Sequence, residues 1–355
     1  MSGTSLDGAD AVLADFSTAQ PRVLAFESEA YSPELREELL ALNTPGDNEI
    51  ERSQLVANQL ANVYARAAVR AMRVANVDAN MVAAIGCHGQ TIRHRPDLGY
   101  TTQLNNSALL AELTGCNVVA DFRSRDIAAG GQGAPLAPAF HDGVFRSDTE
   151  TRVVVNIGGI ANLTILEARK PAWGFDCGPG NCLMDAWILK HRQQAFDNSG
   201  TWAAQGQALA RLLGRLQSEK YFTDLPPKST GRDLFHLPWL LEKLTGNESS
   251  QDVQATLLHL TAWSITDHIA RFAPTASRVL VCGGGAQNTA LMRDIAARFS
   301  GGIVVPTDAH GVPAQQVEAL AFAWLAKQAI AQSPLDMTAT TGAKHPSILG
   351  AIYPA

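Results

Sequence analysis

Residues Arg152 to Thr164 read RVVVNIGGIANLT. The apolar run Val153-Val154-Val155 is that of a strand, and Gly158-Gly159 then makes a turn with no Cβ to hold a ligand off. From Ile160 the apolar pattern resumes, so the stretch is a strand, a glycine turn and a return strand. The chain opens with the same order and character: MSGTSLDGAD (Met1 to Asp10), a tight glycine-bearing turn, leads into the apolar strand pattern Ala11 to Phe16. Gly3 and Gly8 let that backbone bend close to a ligand, and Thr4, Ser5 and the turn amides are the donors that phosphate oxygens need. A third glycine turn, Gly283-Gly284-Gly285, joins a strand pattern over Arg278 to Cys282 to a helical pattern over Thr289 to Phe299. A strand, a glycine run and a helix N-terminus together make anion- or nucleotide-binding geometry. One such turn would be an ordinary hairpin, but three in order predict an α/β protein that holds a nucleotide.

At 355 residues the chain exceeds what one core covers, and two domains of about 150 residues each are expected. The polar stretch Arg146 to Thr151 marks the boundary, giving a first domain over 1–150 and a second over 151–355, with the last helix packing back toward the first and a cleft between the two as the natural ligand site. With 46% hydrophobic and 17% charged residues the composition is that of a soluble globular protein. A net charge of −6 leaves no basic footprint, which argues against nucleic acid or a membrane surface as partner; an anionic ligand must be held by local amides. The five cysteines (Cys87, Cys116, Cys177, Cys182, Cys282) are odd in number and scattered, which argues against a disulfide framework and for a reducing compartment. Cys177 and Cys182 have no second Cys/His pair near enough to complete a zinc site. No charged leader and no bilayer-length apolar run is present, so a cytoplasmic location is expected.

Elsewhere the periodicity predicts helices over Pro33 to Leu42 and Glu51 to Val74, and brief strands over Met81 to Ile85 and Asn117 to Ala120. Those strands stop at Gly86-Cys87-His88-Gly89-Gln90-Thr91 and at Asp121-Phe122-Arg123, and in open α/β sheets chemistry gathers where strands end. Ala128 to Leu136 is too glycine-rich for a helix interior and reads as a binding loop or hinge. Gln315 to Gln332 is a strongly apolar helix, followed by a tail containing proline and glycine.

The ordered set of three turns resembles the actin and hexokinase superfamily of ATP-binding proteins. The strings MSGTSLDGAD, GCHGQT, DFRSRDIAAGGQGAPL, NIGGIANLT, GFDCGPGN, LMDAW, KSTGRD, DVQATL, CGGGAQN and EALAFAWLA, in this order from Met1 to near Pro354, are similar to those of the anhydro-N-acetylmuramic acid kinases. The resemblance implies a two-domain actin-like/hexokinase (ribonuclease H-like) ATPase fold with ATP and Mg²⁺ as cofactors. It implies that Gly3, Thr4, Ser5, Leu6, Asp7, Gly8, Ala9 and Asp10, with Gly158 and Gly159, cradle phosphates, while Gly283, Gly284 and Gly285 pack against adenosine. Members of the family add water across the 1,6-anhydro bond of 1,6-anhydro-N-acetylmuramic acid and phosphorylate the freed O6, giving N-acetylmuramic acid 6-phosphate for cell-wall recycling. A homodimer is also implied.

That chemistry needs a carboxylate to deprotonate water, and the resemblance assigns Asp176, in GFDCGPGN, to the task. The other reading of Asp176 is an N-cap for a helix around Asn181 to Leu189. Asp126, beside the glycine-rich loop, is the rival base and a candidate substrate contact, and Asp185 reads as structural or as a secondary metal or substrate contact. Asp7 and Asp10 are hard oxygen donors suited to Mg²⁺, with an Asx-turn as the alternative. Arg123 and Arg125 can meet the lactyl carboxylate bidentately. His88, with only His94 near it as a metal partner, is expected to hydrogen-bond to sugar or backbone. Glu318 opens an apolar helix; read as a buried carboxylate it is a substrate contact, and its place in the first turn alone also accounts for it. KSTGRD (Lys228 to Asp233) is either a loop that closes over nucleotide or sugar, or a solvent loop.

Family members carry a few apolar residues ahead of the position of Met1, as the first half of the opening hairpin. Without them, sheet-edge groups are expected to go unpaired and ATP binding to weaken, and an added upstream apolar strand to raise the melting temperature and lower the KM for ATP. Two rival functions share the three turns: a kinase for another sugar or a small acid, which would change DFRSRD and GFDCGPGN, and an ATPase module regulating a partner, which would need a further partner-binding domain.

Overall fold

The computed structural model describes every residue except Thr4, Ser5, Ala19 and Arg232, so the readings of Thr4 and Ser5 lie outside the described residues. The opening segment leads into β1 (Gly8–Asp15), paired antiparallel with β2 (Arg22–Ala30). A Cβ at Gly8 would stand 2.4 Å from the Glu29 carbonyl oxygen, so the two strands approach this closely only on glycine. Ser32 caps α1 (Pro33–Ala41) by accepting the Leu35 N–H at 3.2 Å, with proline at the start of the helix. α2 (Glu49–Ala75) buries Val56, Leu60, Val63 and Ala67 on one face, with Leu55 exposed.

The strand expected over Met81 to Ile85 is displaced. A 3-10 turn covers Ala79–Met81, Met81 is exposed, and pairing begins only at β3 (Ile85–Gly86). The hairpin of β4 (Gln90–Arg95) and β5 (Tyr100–Leu104) and the Asn106-capped α3 (Ser107–Thr114) follow. Then β6 (Val118–Ala120) pairs parallel with β3 over Ile85 and Gly86, so the apolar residues before Ile85 have no ladder to join. α4 (Ser124–Ala128) and α5 (Ala137–Phe145) flank the glycine-rich loop.

From β7 (Thr151–Ile157) the chain turns at Gly158-Gly159 into β8 (Ile160–Leu166) and then β9 (Trp173–Pro179). The helices α6 (Cys182–Arg192), α7 (Ala210–Gln217), α8 (Leu237–Lys243) and α9 (Ser250–Phe272) lead to β10 (Ala276–Cys282), α10 (Thr289–Arg298) and β11 (Ile303–Pro306). The sheet order is β11-β10-β7-β8-β9, parallel among the first three and antiparallel from β7 to β9. Val153, Val155 and Ile157 of β7 share one buried apolar cluster with Leu257, Leu260 and Ile265 of α9.

α11 (Val317–Ile330), α12 (Thr338–Thr341) and β12 (Ala351–Tyr353) complete the chain, β12 pairing antiparallel with β6. The residues read as a tail thus contribute a helix and a strand, whose partner lies far back in sequence. The chain forms two compact units, Met1–Val144 with Gln316–Ala355, and Phe145–Gln315. The boundary falls at Val144/Phe145 rather than 150/151, and the segment from Gln316 onward, assigned to the second domain in the sequence, belongs to the first unit.

In the first unit β1-β2 and β12-β6-β3 are separate sheets. Between β1, β3, α2 and α11 lies an apolar cavity of about 550 Å³ whose walls include Ala67, Ala71, Ala323 and Ala326. Met1 exchanges both backbone hydrogen bonds with Asp10, at 2.8 and 2.6 Å, along the edge of β1 away from β2. All five cysteines are buried free thiols, and no helix of the described residues is long and apolar enough to cross a membrane.

Candidate functional site

The second unit sets its polar residues in a row. Register pairs Cys282 with Asn156, Asn156 with Asn162, and Asn162 with Asp176, across β10, β7, β8 and β9. Directly paired residues point to one face of a sheet, so two asparagines and the Asp176 carboxylate share a face. β7, β9 and β10 run in one direction, and the turns Gly158-Gly159 and Gly283-Gly285 begin within two residues of this row. The sequence reading missed Asn156 and Asn162; amides inside otherwise apolar strands were the available signal.

The first residues after β9 brace the Gly158-Gly159 turn. The Gly158 carbonyl accepts the Asn181 N–H at 2.8 Å, the Gly159 carbonyl accepts those of Gly180 and Cys182 at 2.9 and 3.1 Å, and the Asn181 side chain donates to the Ile157 carbonyl at 3.2 Å. In a trans peptide the N–H points opposite to the C=O, so the Gly159 N–H is directed to the outer side of the turn. A concave anion site needs that orientation. In the third turn Gly283 has φ +79°, and a Cβ on it would stand 2.4 Å from Asn156 Oδ1. A Cβ on Gly285 would stand 2.3 Å from Ile157 Cγ2, whereas Gly284 has nothing nearer than 3.7 Å. Asn288 caps α10 by accepting the Leu291 N–H at 3.0 Å. With Gly284, Gln287, Asn181, Asp185 and Gln315, and with Met184 and Phe196, it lines a cavity of about 230 Å³ at the starts of α6 and α10.

Asp176 lies inside β9, and Asn181 occupies the cap position of α6, so the N-cap reading of Asp176 falls. Its Oδ2 accepts from the Ser229 hydroxyl at 2.8 Å and the Thr230 N–H at 3.0 Å. Its backbone N–H reaches the Lys228 carbonyl at 3.3 Å, and its carbonyl accepts the Tyr221 hydroxyl at 2.6 Å. Burial raises the carboxyl above the usual Asp range, and the two donors offset only part of that rise. The side chain is half-buried. KSTGRD therefore does more than border solvent: two of its residues hold this carboxylate, although nothing local in the string pairs it with GFDC.

Asp126 is differently placed. It is 1% exposed; Oδ2 accepts the Gly133 N–H at 2.7 Å and Oδ1 the Thr341 hydroxyl at 2.7 Å. It ties the glycine-rich loop to α12 with a donor on each oxygen, and at this burial the base and substrate contact expected of it have no open approach in this geometry. His88 is buried between two partners. Arg123 donates from Nε and Nη2 to its Nε2 at 3.2 and 2.9 Å, so Nδ1 carries the proton toward the Ser2 carbonyl at 3.3 Å. Burial and the Arg123 charge hold the imidazole neutral, well below its usual range. His88 thus braces backbone and Arg123, and its ring nitrogens are not presented to a sugar. Arg123 also donates to the Gly133 carbonyl at 2.7 Å, and burial lowers it to about 10, an effect that the nearby Glu318 and Asp126 carboxylates oppose. Glu318 is exposed in the first turn of α11 rather than buried, and Arg125 is exposed as well. The structure brings His88, Arg123 and Glu318 together.

In the opening segment the Gly3 carbonyl accepts from the Gln90 side chain at 3.1 Å, and Ser2 donates to the Gly89 carbonyl at 3.0 Å. Leu6 is buried with φ +56°, and Ala9 is buried in β1. Asp7 is exposed, its carbonyl accepting the Tyr31 N–H at 3.1 Å. Asp10 sits within β1, its carboxylate accepting the Ser28 hydroxyl, so the Asx-turn alternative does not apply to it. Among the described residues no group of three or more His, Cys, Asp or Glu side chains is spaced to hold a metal, so a cation at Asp7 and Asp10 would draw its other oxygens from phosphate and water.

Glycine turns at strand ends beside a half-buried carboxylate are the fittings of an α/β phosphotransferase. Comparison with known proteins is more particular: the family model described as AnmK, anhydro-N-acetylmuramic acid kinase, matches residues 1–355. Curated relatives bearing that family's name include those of Cupriavidus metallidurans, 54% identical over all of this chain and 96% of the relative, and Bordetella pertussis, 54% identical over all of this chain and 95% of the relative. The chain belongs to the anhydro-N-acetylmuramic acid kinase family. Among solved structures, the activator of the 2-hydroxyisocaproyl-CoA dehydratase from Clostridium difficile with bound ADPNP aligns over 92% of this chain and 97% of its own, at 14% identity and a TM-score of 0.46.

Proposed function

We propose that this chain opens the 1,6-anhydro ring of 1,6-anhydro-N-acetylmuramic acid with water and phosphorylates the freed O6 from ATP, giving N-acetylmuramic acid 6-phosphate and ADP. The observation that carries the mechanism is the Asp176 carboxylate, half-buried, raised above the usual range and aimed by Ser229 and Thr230. Asp176 takes a proton from water as its oxygen bonds to the anomeric carbon. The C1–O6 bond breaks, its electron pair stays on O6, and O6 attacks the γ-phosphorus with ADP leaving.

The Gly159 amide and the segment Gly3 to Asp10 meet phosphate oxygens, and Gly283-Gly285 with the cavity beside them takes the adenosine end. Mg²⁺, when bound through Asp7 and Asp10, neutralises phosphate charge. Arg123, braced by His88, pairs with the lactyl carboxylate, with Glu318 beside it, while Asp126 shapes the loop they share. Activity in the cytoplasm as a homodimer, in cell-wall recycling, completes the proposal.

The test is Asp176→Asn. With ATP, Mg²⁺ and the anhydro-sugar it should release no ADP above the sugar-free control while still binding ATP by calorimetry. Near-normal kcat in that variant, with loss in Asp126→Asn instead, would move the base to Asp126.

A further inference from the structure

The donors on Asp176 come from a loop with little structure of its own. Between the 3-10 turn Lys220–Phe222 and α8, residues 224–231 are in neither helix nor strand, and Leu225, Pro227 and Ser229 are exposed. A segment like this drifts unless something fixes it. Lys228 turns the other way. Its ammonium donates to the Tyr221 carbonyl at 2.9 Å and to His268 Nε2 at 2.8 Å, and lies 4.6 Å from the Tyr221 ring centre and 5.9 Å from that of Phe175. His268 is fully buried on α9 with Nδ1 2.6 Å from the Ser264 carbonyl. An ammonium only donates, so Nε2 is the acceptor and Nδ1 carries the proton: the imidazole is the neutral tautomer built to receive the lysine. The Lys228 carbonyl meanwhile accepts the Asp176 N–H. One residue thus joins the loop to β9 through its backbone and to α9 through its side chain.

We propose that Lys228 is a positioning residue for the reaction: its ammonium, seated among Tyr221, Phe175 and His268, holds Ser229 Oγ and the Thr230 N–H on the Asp176 carboxylate and so keeps the base aimed. This rests on the reading of Asp176 as the base. Lys228 is surrounded by Arg271, Asp267 and His268 of α9, Asp224 of the loop and Cys177 of β9, while Asp176 is flanked by Cys177 and Tyr221 besides its two donors. Ser229 and Thr230 both favour the ionised carboxylate, against the burial that raises it. With the carboxyl still buried among β9 and Tyr221, loss of those two donors raises the base's pKa further and moves the acidic limb of kcat to higher pH.

The experiment compares wild type, Lys228→Met and Lys228→Arg in the full chain, measuring kcat, both KM values and the pH profile of kcat. In Lys228→Met we expect kcat to fall by at least about tenfold, as misplacing a catalytic group does, with the KM for ATP within about twofold and the acidic limb shifted upward. Lys228→Arg, which can still donate to Tyr221 and His268, should recover part of both. A folded Lys228→Met with wild-type kcat, or with lower kcat and an unmoved limb, overturns the proposal. Should Lys228→Met fail to fold, His268→Phe keeps a buried ring and removes the acceptor; an unmoved limb there overturns it equally. Asp176→Asn is run in parallel. Turnover in that variant defeats the base reading, whereas an inactive Asp176→Asn beside an unmoved Lys228→Met limb defeats the lysine proposal alone.

Discussion

Two aspartates are candidates for one job, and the atoms around them are the reason Asp176 is proposed for it. Asp126 is buried, with one donor on each oxygen, Gly133 and Thr341, and a Cβ on Gly131 would stand 2.3 Å from its Oδ2, so the loop closes tightly over it. A general base needs a lone pair that water can reach, which the half-buried Asp176 retains and Asp126 does not. Asp126→Asn sets an amide N–H₂ against the donors it faces. We expect it to lose about 1–3 kcal/mol of stability, read from urea unfolding, with kcat of the folded enzyme within a few-fold of wild type. Unchanged stability together with lost turnover would reverse the assignment. Both aspartates stood out in the sequence, yet the choice between them was not legible there. The groups on which the proposed choice rests, Thr341 for one and Ser229 with Thr230 for the other, lie 215, 53 and 54 positions away and meet their carboxylates only in the folded chain.

At the scale of elements, the glycine turns at Gly158-Gly159 and Gly283-Gly285 were readable because each needs only local pattern: an apolar run, glycines, then a return strand or a capped helix. α1, α2, β7, β10 and α10 were readable for the same reason. β3 and β12 were not, since their pairing is set by β6, a partner distant from β12 in sequence and short enough to leave Met81 outside the ladder. The third turn makes a graded prediction. Gly285→Ala drives a methyl into Ile157 and should lower the melting temperature by several degrees, about what a loss of 1–3 kcal/mol produces. Gly284→Ala has room on the protein side and should melt as wild type does while binding ATP more weakly, because its open side is the one left for the nucleotide. Calorimetry on both variants checks this, and Gly284→Ala with unaltered ATP affinity would remove Gly284 from the nucleotide contact.

Across the whole molecule, burial leaves His88, His141 and His268 neutral. Burial lowers His268 to about 4 and His141 to about 3, against 6.5 for a solvated imidazole. Between those values the unfolded chain binds protons that the folded chain does not, so stability is fully present above about pH 6.5 and declines as the pH falls toward 4. The urea midpoint should therefore drop between pH 7 and pH 5, and a flat midpoint over that range would show that these rings are solvated or already charged. The two compact units carry different parts of the proposed reaction: Arg123, His88 and Glu318 lie in one, and Asp176 with its loop and two of the glycine turns in the other. The central claim is that one chain performs both the water addition and the phosphoryl transfer. The most direct measurement runs ATP, Mg²⁺ and 1,6-anhydro-N-acetylmuramic acid in ¹⁸O-labelled water and locates the label by mass spectrometry. The account predicts ADP formation that depends on the sugar and a sugar 6-phosphate with ¹⁸O at the anomeric hydroxyl and none in the phosphate. Label in the phosphate, or ADP released at the same rate without the sugar, would contradict it.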